Sequence, residues 1–163
     1  MDHEAGRRLR ARNGYRAAQA CWEQARDRPG IARCHIGLSR LALDEDLSIH
    51  PILERLEQDK AVQRQPWLMG QVACLRGVLL GRAGDRLAYS VLAHAAALLD
   101  GHPAWRHLPA IDQGHLDLQR GDESAAYGRL GAVPNEALYA VPVRLALGTL
   151  RHSLGAALRA TSA

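Results

Sequence analysis

The chain has 163 residues, 47% of them hydrophobic and 23% charged, with a formal net charge of +4; that is the length of one domain, and too apolar for a disordered chain. Its 25 Leu and 28 Ala against 7 Val, 5 Ile, 2 Thr and no Phe starve a β-sheet of its usual packing residues and leave an all-α fold. No run approaches the roughly 18 apolar residues of a membrane span, and the opening Met1-Asp2-His3-Glu4 carries acids where a signal peptide needs an apolar segment, so the expectation is a cytoplasmic chain with no membrane contact.

Apolar residues three and four apart predict helices near residues 3–12, 14–28, 30–43, 50–62, 67–82, 85–100, 108–120 and 122–131. Pro51, Pro66 and Pro109 stand where first turns tolerate them. Pro142 would break a helix begun at Asn135, because it removes a hydrogen bond and clashes with the preceding turn. A short segment therefore ends near Ala140, and a last helix runs from Pro142 to about Arg159 with Leu145, Leu150, Leu154 and Leu158 on its apolar side. Pairing these elements gives hairpins near 3–28, 30–62, 67–100 and 108–131 and a cap over 135–160, in a single domain 1–163.

The punctuation repeats. Gly77 followed by Gly84-Asp85 recurs as Gly114 followed by Gly121-Asp122, an offset of 37, and Gly37 followed by Asp44-Glu45 stands 40 residues before Gly77. Gly tolerates the left-handed conformation that ends a helix, and the following Asp accepts from the orphan amides that begin the next. Gly77 and Gly114 fall inside helices, where Gly costs about 1 kcal/mol relative to Ala, which predicts close approach of a neighbouring helix. Ala18 with Trp22 and Ala25, Ala93 with Ala96 and Ala97, and Ala125 with Ala126 offer narrow faces for that approach.

On Gly77, Gly84-Asp85, Gly114, Gly121-Asp122 and Ala126, and on Asn13-Gly14-Tyr15 with Ala18 and Ala25 as half of a first unit, the chain resembles the tetratricopeptide repeat family over most of residues 8 to 133. An α-hairpin stack of another kind gives much of the same pattern. The resemblance implies a right-handed stack of antiparallel α-hairpins with a C-terminal capping helix, whose first helices line a concave surface for a peptide or helix. Carried onto this sequence, that surface falls on Cys34, Leu38 and Leu41, then Gln71, Cys74, Val78 and Arg82, then Leu108, Ile111, His115 and Leu118, with Tyr139 extending the line. These residues are mostly apolar and include one cation, Arg82, which disfavours a clamp for a chaperone-tail carboxylate. An apolar groove is similar instead to the helical-repeat chaperones of bacterial type III secretion, and implies a protein-binding adaptor or chaperone holding an amphipathic helix or peptide. The open ends of a short stack make a homodimer plausible.

Two other readings compete. Twenty Arg against one Lys (Lys60) reflect a GC-rich, bacterial coding sequence as much as function, but Arg7, Arg8, Arg10, Arg12 and Arg16 are concentrated enough for an anionic partner. A regulatory or assembly module could use them on nucleic acid or an acidic protein; with only Tyr15 nearby for stacking, nucleic acid is the weaker choice. A small helical enzyme would need a catalytic constellation. Ser39, Ser90 and Ser124 lack a nucleophile-elbow setting, and the acidic run Asp44-Glu45-Asp46 suits a turn and a helix start. His102 with His107, and His94 with Asp100, lack the one-turn spacing that points two ligands at one ion, and Cys21, Cys34 and Cys74 have no zinc-like spacing. No catalytic residue, metal or cofactor is therefore expected.

Overall fold

A computed structural model describes residues 3–45, 47–134 and 141–161. Among them the regular structure is helical throughout, as the composition predicts: α1 (His3–Gln24), α2 (Arg28–Asp44), α3 (His50–Gln58), α4 (Lys60–Gln63), α5 (Pro66–Arg82), α6 (Leu87–Leu99), α7 (Leu108–Gln119), α8 (Glu123–Gly131) and α9 (Val141–Thr161). None of the described helices is long and apolar enough to cross a membrane. Prolines sit in the first turns of α2, α3, α5, α7 and α9, where the missing amide hydrogen would have been unbonded anyway. The segment expected over 135–140, with Tyr139, lies outside the described residues.

The contacts form two compact units, Met1–Leu75 and Arg76–Ala163. In the first, α1 and α2 make an antiparallel hairpin: Trp22 lies at Gly30, Tyr15 at Gly37, and Arg8 reaches the Asp44 carbonyl at the far end of α2. The aromatic rings need those glycines, because a Cβ on Gly30 would stand 2.6 Å from the Trp22 ring, and one on Gly37 would overlap the Tyr15 ring. α3 and α4 pack against α2 and each other, burying Ile49, Leu53, Leu56 and Val62. Each such side chain contributes about 1.5–3 kcal/mol when removed from water.

Two expected boundaries are corrected here. The turn predicted at Asn13-Gly14 does not form, and α1 runs unbroken where helices 3–12 and 14–28 were expected. Gly14 is exposed with nothing near its Cβ position. Its helix penalty of about 1 kcal/mol is outweighed by contacts with α2 on both sides of it. The helix expected over 50–62 divides at Asp59, which leaves helical geometry and accepts from the Ala61 amide at 2.8 Å to start α4.

The chain reverses three times through one device. Gly84 and Gly121 take the left-handed conformation, φ +76° and +78°. Asp85 and Asp122 each donate their amide at 2.9 Å to the carbonyl five residues back, Leu80 and Asp117, and each begins the next helix by accepting an amide on its carboxylate, from Leu87 and Ala125. Arg26-Asp27 builds the same turn between α1 and α2: the Asp27 amide reaches the Trp22 carbonyl at 2.9 Å, and its carboxylate accepts from Gly30 at 3.1 Å. Arg26 holds φ +55°, a region costly to any residue with a Cβ. Arg26→Gly is expected to stabilise the fold by about 0.5–1 kcal/mol and raise the melting temperature by roughly 1–4 °C; calorimetry showing a lower melting temperature would contradict the strained turn.

In the second unit α7 lies between α6, α8 and α9. The interior glycines do what their cost predicts. A Cβ on Gly77 would stand 2.6 Å from Leu92 and 3.4 Å from the Ala88 carbonyl; one on Gly114 would stand 2.8 Å from Leu150 and 3.8 Å from the Ala126 carbonyl. The small residues facing the glycines are thus the buried Ala88 and Ala126, while Ala93 and Ala97 are exposed. Gly81, one turn after Gly77, receives Leu116 of α7. Two glycines on successive alternate helices, Gly81 on α5 and Gly114 on α7, therefore each hold a leucine of the alternate helix that follows, Leu116 of α7 and Leu150 of α9.

Candidate functional site

Position by position, the residues expected to line a groove divide into core and surface. In the first unit Cys34, Leu41, Gln71 and Cys74 are buried and Leu38 is half-buried. In the second, Leu108 and Ile111 are buried, Val78, His115 and Leu118 are half-buried, and Arg82 is exposed. Six of the twelve are therefore core residues, with Cys74 and Ile111 at 0% exposure. Side chains with so little exposure present almost no surface to a guest. Burial also pushes the Cys34 thiol pKa upward.

Of the expected lining in the second unit, Val78 and Arg82 on α5 and His115 and Leu118 on α7 keep surface exposed. Their spacing of three or four residues puts each pair on one helix face. His115 is anchored, its Nε2 donating to the Ala146 carbonyl of α9 at 3.1 Å. A main-chain carbonyl only accepts, so the proton is on Nε2.

A polar cluster that no sequence spacing announced joins α6, α7 and α8. Asp117, 5% exposed, accepts from the Tyr89 hydroxyl and from Arg129 Nε at 2.5 Å, while Arg129 Nη1 donates to Gln113 at 2.6 Å. The Arg120 guanidinium stands 4.9 Å and that of Arg129 5.7 Å from the centroid of the Tyr89 ring. Burial, reinforced by the bond to Asp117, raises the Tyr89 pKa and keeps its hydroxyl a donor. Every named group has a partner within the cluster, so its chemistry is that of a clasp between three helices.

Two of the arginines of α1 have partners at the end of α2. Arg8 donates to the Asp44 carbonyl at 3.4 Å and Arg12 pairs with Glu45, so both tie α1 to the negative end of α2. Arg10 and Arg16 are exposed, and the side chain of Arg7 lies outside the described residues. Among the described residues no three His, Cys, Asp or Glu side chains are placed to hold a metal ion.

Comparison with protein-family models, curated proteins and solved structures gave no match. The functional reading therefore rests on the chain's own geometry.

Proposed function

We propose that this chain is a non-catalytic protein-binding adaptor or chaperone of tetratricopeptide-like type, holding a peptide or amphipathic helix of a partner protein along the outer side of α5 and α7. The observation that supports the reading most is the pair of glycine contacts in the second unit, Leu116 on Gly81 and Leu150 on Gly114. Helices that follow one another by the same close approach, joined by turns of one geometry, are the working parts of a hairpin stack, and a stack aligns its first helices into a surface for an extended guest. Leu108 and Ile111 being buried, this reading assigns the contact to Val78, Arg82, His115 and Leu118.

The test is native mass spectrometry of the tagged full chain purified from its own cells, beside Val78→Asp and Leu118→Asp. Wild type is expected to carry a stoichiometric protein partner, and each variant to lose it while keeping its helical circular dichroism. Folded variants that retain the partner, or a wild-type chain that carries none, would overturn the proposal.

A further inference from the structure

The glycine series does not stop at Gly114. Gly148 in α9 follows at nearly the same interval along the chain (positions 81, 114 and 148), it is exposed, and no described residue lies within 4 Å of where its Cβ would be. A glycine inside a helix sacrifices helix stability, and at Gly81 and Gly114 a leucine from the next helix fills the space gained. Among the described residues, Gly148 has the cost without the leucine. Val143, Leu147, Leu150 and Leu154 bury the other side of α9, so Gly148 belongs to the face that the described residues of the unit leave uncovered.

The charge of that face identifies what fits it. At one, two or three helical turns from Gly148 stand Arg144, Arg151, His152 and Arg159, while α9 contains no Asp or Glu. Gly155 lies two turns on in the same line, with the Arg159 guanidinium 3.6 Å from its Cβ position. We propose that this face of α9 docks an acidic amphipathic α-helix of another protein, which brings a leucine onto Gly148 and carboxylates to the flanking arginines. A second copy of α9 does not fit, because it would set arginine against arginine.

Fluorescence anisotropy with the full chain tests it, using as probe a synthetic helical peptide with leucines on one face and glutamates flanking them, and its lysine-for-glutamate counterpart. The acidic peptide is expected to bind and the lysine peptide not to. Gly148→Leu should weaken binding at least tenfold with the melting temperature held, since its side chain enters open space. Arg144→Glu combined with Arg159→Glu should transfer preference to the lysine peptide, a gain that loss of folding cannot mimic. Equal binding by Gly148→Leu, or no transfer of preference, overturns the proposal. So does concentration-dependent self-association that Gly148→Leu abolishes, which would make the occupant a second copy, or displacement of the peptide by random duplex DNA, which would make it a nucleic acid.

Discussion

Leu150→Ala is expected to lower the stability of the fold by about 3 kcal/mol, within the range for emptying a fully buried leucine site, and the melting temperature by roughly 6–12 °C. Leu150 is buried on the α7 side of α9, with Cδ2 2.8 Å from the Cβ position of Gly114. The residual cavity borders helix backbone, which cannot collapse into it as a flexible side chain would. Adding Gly114→Ala to Leu150→Ala is expected to recover about 1 kcal/mol relative to the sum of the single changes, because the new methyl group enters the space that the leucine has left. Additive losses in denaturant titrations of the two single variants and the double would show that Leu150 does not pack into Gly114.

Asp117→Ala is the second large effect, a loss of about 2–3 kcal/mol. The substitution strips Tyr89 of its acceptor and leaves the Arg129 guanidinium facing no carboxylate. Breaking a buried pair from one side costs about 3–5 kcal/mol, and the value is reduced here because Arg129 keeps 34% of its side-chain surface in water and keeps Gln113. Tyr89→Phe removes one hydrogen bond to a charged group and should cost no more than about 1.5 kcal/mol. Thermal melts giving the two variants equal losses would place the strength of the cluster in the tyrosine rather than in the carboxylate.

What could be read ahead of the structure follows from the range of each interaction. Gly84-Asp85 and Gly121-Asp122 were legible because both halves of the turn, the positive φ and the cap, are local and have residues suited to them. Arg26-Asp27 shows half of that signature, since no sequence rule places Arg at positive φ, and the weaker signal at Asn13-Gly14 drew the break to the wrong place. The apolar positions of α5 and α7 are plain in the sequence, but a period of three and four residues marks the side facing a core and the side facing a guest alike. Burial at Cys74 and Ile111 separates the two. Tyr89, Asp117 and Arg129 come from three helices, and only the packing of those helices brings them together. The empty position at Gly148 is recognisable only beside the filled ones at Gly81 and Gly114.

The cysteines divide by access. Cys21 is exposed on α1, whereas Cys34 and Cys74 are buried in the same unit, and Cys34 has its thiolate form suppressed by burial. A solvent-borne electrophile thus meets the exposed Cys21 in the native protein, and reaches Cys34 and Cys74 only in molecules that have transiently opened around them. Alkylation of those two sulfurs then proceeds at a pace set by the opening equilibrium, so each reports the local unfolding of its own surroundings.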